Sequence, residues 1–438
     1  MNLKKINFSE ICIIFVMLFL SWNNFQLFGL YFFIIFQTVL CVISFFRAKR
    51  KICFDKKDIV IWLMLILSLI SAFFVILSDM PDSYKIYSLI MTIVLIPSYL
   101  SYAYLKKEFK RNNTKFQICI KYLKIGFLVQ IIIVPIQFIL YKIGIDINDL
   151  FFNKLLHLME NPTFFRQGTY HPSGFTWHSA MLAPLFVLAY LLFEKKMWVK
   201  ILILLDAYLC GNNTALIGVL LTIILVSIHR VAFSSRIYKT SRKRIFSFVL
   251  IILAFILICI LNRNITNSII EKCNYLWIRI FEGSKDSSSA AHFSYYILYP
   301  EVLIRNTFLQ SIFGTGYASS GYSISQISGQ YASLKHWVTE SDFIDILISR
   351  GLLGFIIYYI FLIQIAIRGK NVDYRYTVAM IVILLQGITY NVQFEYLFFI
   401  ELILYACVDL KLNVFEANSF NKVEYRINNV ERRIVNEE

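Results

Sequence analysis

Asp58–Ser78 reads DIVIWLMLILSLISAFFVILS. Between its polar ends the run is broken only by Ser68 and Ser71, and it is as long as a helix needs to be to cross about 30 Å of hydrocarbon. Comparable runs recur near 8–22, 25–46, 86–105, 118–141, 177–193, 197–210, 214–229, 245–262, 351–367, 375–390 and 395–410, which makes about twelve spans. Inside lipid each segment must satisfy its own backbone polar groups, so the runs are expected to be helical; the alternation of a barrel is absent. Only 16% of residues are charged and 58% are hydrophobic; a soluble domain carries about a quarter charged residues. The sequence therefore predicts an all-α, polytopic membrane protein. One membrane domain covers residues 1–410, and residues 411–438 form a polar cytoplasmic tail. The first run has no small-residue cleavage site and another follows almost at once, so it reads as a span rather than a signal peptide.

The formal charge of +16 raises the question of nucleic acid, and the distribution of the charge answers it. With the N-terminus inside, alternate connections carry about 30 of the 43 Lys and Arg residues. They cluster at Lys4-Lys5, Arg47–Lys57, Lys106–Lys115, Lys195–Lys200, Arg230–Arg244, Arg368–Arg375 and the tail. That is the positive-inside pattern, so the charge orients the chain in the membrane, with both termini cytoplasmic, and nucleic acid is not expected as a partner. Membrane lipid is. The eight cysteines fall mostly in spans (Cys12, Cys41, Cys119, Cys259 and Cys407) and form no CxxC or Cys/His spacing, so neither a metal nor a disulfide framework is expected.

Two outer connections are long, about 144–176 and 263–350. Loops of that length are usually functional. In the first, Arg166-Gln167-Gly168 precedes Ser173-Gly174-Phe175, and Arg166 is one of two Lys or Arg side chains there. The second holds Arg279, His292, Arg305, His336, Glu340 and Asp342. Arg is disfavoured outside, and a guanidinium binds phosphate through two parallel hydrogen bonds. Each of these arginines also has a plainer reading: snorkelling for Arg166, an ion pair with Glu282 for Arg279, and lipid headgroups for Arg305. Tyr295–Gln310, YYILYPEVLIRNTFLQ, has helical apolar spacing and is expected to lie on the membrane surface. From Thr339 a capped helix is expected, with Glu340, Asp342 and Asp345 in its first turn. A carboxylate beside lipid suits a general base, and a helix-start acid serving the dipole is the structural alternative. Ionisable residues inside spans are few, and Asp206 and Glu401 stand out among them.

At these residues the chain resembles the O-antigen polymerase and ligase superfamily, the polyprenyl-dependent Wzy-type polysaccharide polymerases. Three stretches carry the likeness over roughly residues 120–390. They are Arg166-Gln167-Gly168 with Ser173-Gly174-Phe175; Gly211-Asn212-Asn213-Thr214 opening a span; and Phe313-Gly314-Thr315-Gly316, followed by Glu340-Ser341-x-x-Ile344 and Gly351-Leu352-Leu353-Gly354. Asn213 stands where family members often have Arg, and His292 lies in a stretch where they often have another. Related ligases carry His-Asn in place of Glu340-Ser341, which favours a polymerase over a ligase.

The resemblance implies a GT-C-like ligase and polymerase fold in a bacterial cytoplasmic membrane. Donor and acceptor would be undecaprenyl-pyrophosphate-linked glycans, and a chain-length regulator protein is an expected partner. An acceptor hydroxyl attacks the anomeric carbon of the donor, and the pyrophosphate leaves. Its growing charge needs stabilisation in the transition state. Arg166, Arg279, Arg305 and His292 are the expected pyrophosphate contacts. Glu340 is the expected base, with Asp342 and His336 as alternates. No cofactor or metal is required. The competing readings are an O-antigen ligase and a lipid-linked oligosaccharide flippase. A membrane glycosyltransferase with catalytic acids in its first external loop is disfavoured, because that loop is Trp22-Asn23-Asn24.

Because Lys cannot make the two parallel bonds of a guanidinium, Arg166→Lys is expected to abolish long-chain polymer at normal protein level. A surface-polysaccharide gel beside an immunoblot checks it. Full polymer in the variant would remove Arg166 from the site.

Overall fold

Apolar residues fill both faces of the long helices, so the two faces differ in side-chain size and polarity rather than in hydropathy. Helix α3 (Ile59–Leu77) turns Ile61, Met64, Ser68, Ser71, Ala72 and Val75 inward, while Ile59, Leu63, Ile66, Phe73, Ile76 and Leu77 remain exposed. A stripe of large exposed aliphatic side chains opposite a face with buried serines is the reverse of a water-soluble helix and suits lipid. The computed structural model describes residues 7–27, 29–47, 55–166, 168–233, 287–327, 339, 341–389 and 395–416. It is mostly helical, at 78%.

The remaining long elements are α1 (Phe8–Phe19), α2 (Phe32–Arg47), α4 (Asp82–Arg111), α5 (Asn113–Lys142), α6 (Leu182–Leu192), α7 (Met197–Leu209) and α8 (Asn213–Phe233). After the undescribed stretch come α9 (Ser287–Arg305), α10 (Phe308–Phe313), α11 (Ser320–Ser325), α12 (Asp342–Ser349), α13 (Gly351–Gly369), α14 (Tyr374–Thr389) and α15 (Glu395–Asp409). Two small antiparallel hairpins join them: β1 (Gln26–Leu27) with β2 (Leu30–Tyr31), and β3 (Phe165–Arg166) with β4 (Thr169–Tyr170). Helix α6 is buried along its whole length, and so is α15 up to Val408. These two form the centre, and the longer helices stand between them and lipid.

Among the described residues, five helices have the length and hydropathy to cross a membrane: Lys56–Leu77, Asp82–Arg111, Asn113–Lys142, Asn213–Arg230 and Gly351–Gly369. Phe8–Phe19, Phe32–Ile43, Ser179–Leu192 and Tyr374–Ile388 are apolar but shorter. The run read as 25–46 opens with the β1–β2 hairpin, and that read as 177–193 opens with a turn and a 3-10 helix at Ser179–Met181, so each helix is shorter than its apolar run. The runs near 197–210 and 395–410 make helices of 13 and 15 residues. The run at 245–262 and the expected tail from 417 onward lie outside the described residues.

The cationic connections meet one another at one end of the bundle. Lys106 Nζ stands 2.5 Å from Asp58 Oδ1 and 2.9 Å from Asp409 Oδ2, and Tyr102 donates to the same Asp58 oxygen at 2.7 Å. Arg375 bridges Asp373 and Glu194, and Arg230 pairs with Glu194 as well. The other end gathers the connections expected outside. The Asn24 amide donates to the Phe175 carbonyl at 2.8 Å, and the Phe25 ring lies 4.9 Å from that of Phe152.

Lys106 is buried with two carboxylates and ties α3, α4 and α15 together. Removing one partner of a buried ion cluster costs about 3–5 kcal/mol, because the opposite charges are left uncompensated. Lys106→Met is therefore expected to lose about that much stability, with Lys106→Met/Asp58→Asn recovering part of it. Thermal unfolding in detergent reads both variants, and an unchanged midpoint in the single variant would show that the cluster contributes nothing.

Candidate functional site

Of the three stretches singled out in the sequence, the first two touch each other, and the third packs against α3, α4 and the end of α12. In the first, Gly168 at φ +74° lies in the two-residue connection that lets Phe165–Arg166 pair with Thr169–Tyr170. Arg166 is thus a strand residue at the base of this turn. Gly174, at φ +62°, is stapled by α5: its amide donates to Gln137 Oε1 at 2.9 Å, and Gln137 Nε2 returns a bond to its carbonyl at 2.8 Å. Gln130 Oε1 accepts from the Phe175 amide at 2.7 Å. These buried amides satisfy an irregular backbone that lipid would leave unpaired. The second stretch touches the first, since a side chain on Gly211 would meet the ring of His171. Asn212 caps α8 by accepting from the Thr214 amide at 2.9 Å.

The third stretch is locked by its own backbone. The Thr315 amide donates to the Ile348 carbonyl at 2.9 Å, and the Gly316 amide to the Ser349 carbonyl at 3.0 Å. Ser71 Oγ also donates to the Ser349 carbonyl, at 2.7 Å. Gly314 and Gly351, both at positive φ, lie backbone to backbone; a Cβ on either would collide with the other's chain. On Gly354 a Cβ would stand 2.5 Å from Arg350 Cβ, so this glycine makes the bed on which the arginine stem lies.

Around this lock sit buried acids and one buried cation. Asp342 opens α12 and is 3% exposed, with its carboxylate against Gly387 of α14. Asp345, one turn later, is 8% exposed and accepts from Ser320 Oγ, which in turn accepts from the Thr339 amide at 2.9 Å. Burial pushes the Asp345 carboxyl up to about 6, against the lowering effects of the Ser320 hydrogen bond and the Arg350 charge. Glu395, 6% exposed, opens α15 and faces Tyr31, Tyr87 and Tyr317. Arg350 is 7% exposed, and its guanidinium lies 5.1 Å from the Tyr317 ring and 5.6 Å from that of Tyr358. Tyr296 and Ser341 hydrogen-bond each other at 2.9 Å, and the hydroxyl that does not donate in that pair is free to donate to the Ile388 carbonyl, which lies within reach of both.

Of the residues expected from sequence, Asp342 is placed in this cluster. Thr339 and Ser341, the neighbours of Glu340, are buried beside it, while Glu340, His336 and Arg279 lie outside the described residues. Arg305 does not reach the cluster: it pairs with Glu301 at 2.7 Å and donates to the Gln326 carbonyl at 2.8 Å. His292 falls in the first half of α9. Arg350 and Glu395 were not singled out by the sequence reading. Their signals were available: a cation immediately before Gly351-Leu352-Leu353-Gly354, and an acid opening the last apolar run. Asp206 and Glu401 are both buried. Glu401 accepts from Tyr358 at 3.0 and 3.2 Å, whereas neither carboxyl oxygen of Asp206 has a hydrogen-bond partner among the described residues.

The folded protein holds a proton on Asp345 that the unfolded chain releases at 3.8, so this group's contribution to stability is full below that pH and is lost as pH rises through about 6. Asp345→Asn keeps the shape and removes the titration. The stability difference between wild type and variant is expected to change between those two values and to be flat above them. Thermal midpoints across pH test this; a constant difference would place the carboxyl in its ordinary range.

The chain matches no family model and no curated protein.

Proposed function

We propose that the protein is a polysaccharide polymerase of the Wzy type, with about twelve spans in a bacterial cytoplasmic membrane and both termini in the cytoplasm. It joins undecaprenyl-pyrophosphate-linked repeat units into O-antigen or capsular polysaccharide at the outer face. The observation that carries this reading is the Gly314–Gly316 to Gly351–Gly354 lock, which holds Asp342, Asp345 and Arg350 together at the outer-loop end. Sequence resemblance drew attention to those glycines, and the fold gives them one physical purpose.

In this reading the acceptor hydroxyl loses its proton to a carboxylate as its oxygen bonds to the anomeric carbon of the donor. The bond from that carbon to the pyrophosphate oxygen breaks, and the electron pair leaves with the pyrophosphate. Glu340 is the base assigned by resemblance. Asp342 lies two residues on at the start of α12, held there by packing against α14. Arginine at the outer face meets the charge that accumulates on the leaving group. The Arg166 hairpin and the Gly174 turn flank the same end through Gly211 and His171.

A deletion strain decides the class. Surface polysaccharide is run on a gel, and lipid-linked intermediates are extracted in parallel. The expected result is loss of long chains with single repeat units still attached to the final acceptor. Long lipid-linked glycan accumulating outside would make the protein a ligase. Single lipid-linked units trapped on the cytoplasmic face would make it a flippase.

A further inference from the structure

Lys124, Lys195, Lys196 and Arg375 gather where α5 packs against α7, at the end of the bundle that collects the cationic connections. Lys195 Nζ and one guanidinium nitrogen of Arg375 converge on a single oxygen, Glu416 Oε1, at 3.9 and 3.7 Å. Lys196 is the next residue; it is exposed, and its ammonium stands 5.7 Å from the centre of the Phe193 ring. Lys124 lies half-buried in the first half of α5. The charges that act on it are those of Arg375, Lys196 and Lys195, all of its own sign.

The acids of this end are engaged elsewhere. Glu194 holds Arg230 and Arg375 and accepts from the Tyr374 hydroxyl at 2.9 Å. Asp373 holds Arg375 and accepts from Asn413 Nδ2 at 2.9 Å. Glu416 is half-exposed and touches Lys195 only at the long distance given above. The ammonium groups of Lys124 and Lys196 form no ion pair or hydrogen bond among the described residues. Like charges drawn together beside a low-dielectric surface repel one another, and an anion shared between them relieves that repulsion.

The surface that continues from these amines is apolar. Met197, Trp198, Ile201 and Leu205 of α7 are all exposed. Lysines followed directly by an exposed Trp and an aliphatic stripe are the pattern of the headgroup level of a bilayer. A soluble anion would answer the charge and leave this stripe bare. A phospholipid answers both, with its phosphate on the amines and its chains along α7.

We propose that Lys124, Lys195 and Lys196 hold the phosphate of an anionic phospholipid whose acyl chains lie along the exposed face of α7. Arg375 keeps its carboxylate partners and adds its charge to the site. The assignment does not depend on the polymerase reading and would hold for a ligase or a flippase equally.

The test uses the full chain in detergent, with phosphatidylglycerol, phosphatidylcholine and inorganic phosphate as probes. Binding is read by native mass spectrometry and by ligand-induced thermal stabilisation. Wild type is expected to prefer phosphatidylglycerol to phosphatidylcholine by about tenfold or more. Lys124→Gln and Lys196→Gln each lose about fivefold of that preference, the contribution of one lysine at an anionic surface. Lys107→Gln, an exposed lysine outside the cluster, keeps the preference in full. An equal loss in Lys107→Gln shows attraction by the charge of the whole end and overturns the site. Full preference in Lys124→Gln and Lys196→Gln overturns it as well. Should Lys124→Gln not fold, the exposed Lys196 decides alone through Lys196→Gln. Equal stabilisation by inorganic phosphate shows the ligand to be a free anion and overturns the lipid assignment, as does a wild type indifferent to the headgroup.

Discussion

Two backbone hydrogen bonds, from the Thr315 and Gly316 amides to the carbonyls of Ile348 and Ser349, hold the turn between α10 and α11 onto the end of α12. A helix leaves its last carbonyls without intrahelical donors, and α12 ends at Ser349 directly against the start of α13. Near lipid those carbonyls need partners from elsewhere in the fold. The Gly314–Gly316 turn supplies two, and Ser71 on α3 supplies a third. Such close approach of backbones excludes side chains at the crossing, which is why glycines stand at 314 and 351. The position of Arg350, and through Ile348 and Ser349 that of α12 with its two acids, follows from this contact.

The same demand for partners organises the membrane interior. Along α15, Glu401, Tyr405 and Asp409 recur every four residues and share a face. Glu401 meets Tyr358, Tyr405 donates to the Lys57 carbonyl at 2.7 Å, and Asp409 meets Lys106. Each of these three groups is thus matched by a group from α13, α4 or the residue just before α3. Without a hydrophobic drive between helices in lipid, packing and such bonds hold the bundle together. The cost of an unmatched charge in hydrocarbon then specifies which helices are neighbours.

The sequence made the membrane class and the longest helices legible, because a run such as Ile59–Leu77 has few alternatives once its backbone must bond to itself. It also marked the glycine pairs, through the order and spacing of their stretches. Other features were hidden for a physical reason. Both faces of a span are apolar, so hydropathy does not say which face meets protein; the full burial of α6 and α15 depends on neighbours far along the chain. Hydropathy also passes smoothly over Gln26–Tyr31, where the backbone turns into a hairpin instead of starting a helix. Arg305 looked available as an external cation, yet Glu301 lies one turn before it and pairs with it. Arg350, written into the start of an apolar run, read as the edge of a span although it points into a tyrosine-lined interior.

That contrast separates two kinds of arginine. An exposed arginine with a carboxylate at i−4, such as Arg305, has its charge already answered and gains little from any further anion. A buried arginine flanked by aromatic faces keeps its charge, because burial disfavours a cation less when ring electrons and nearby carboxylates stabilise it at a distance. Among the described residues no oxygen is bonded to the guanidinium of Arg350. The low-dielectric surroundings that make it expensive to hold also strengthen its attraction to any oxyanion admitted beside it. The backbone lock at Gly314 and Gly351 fixes the place of this arginine with contacts that leave no room for a side chain.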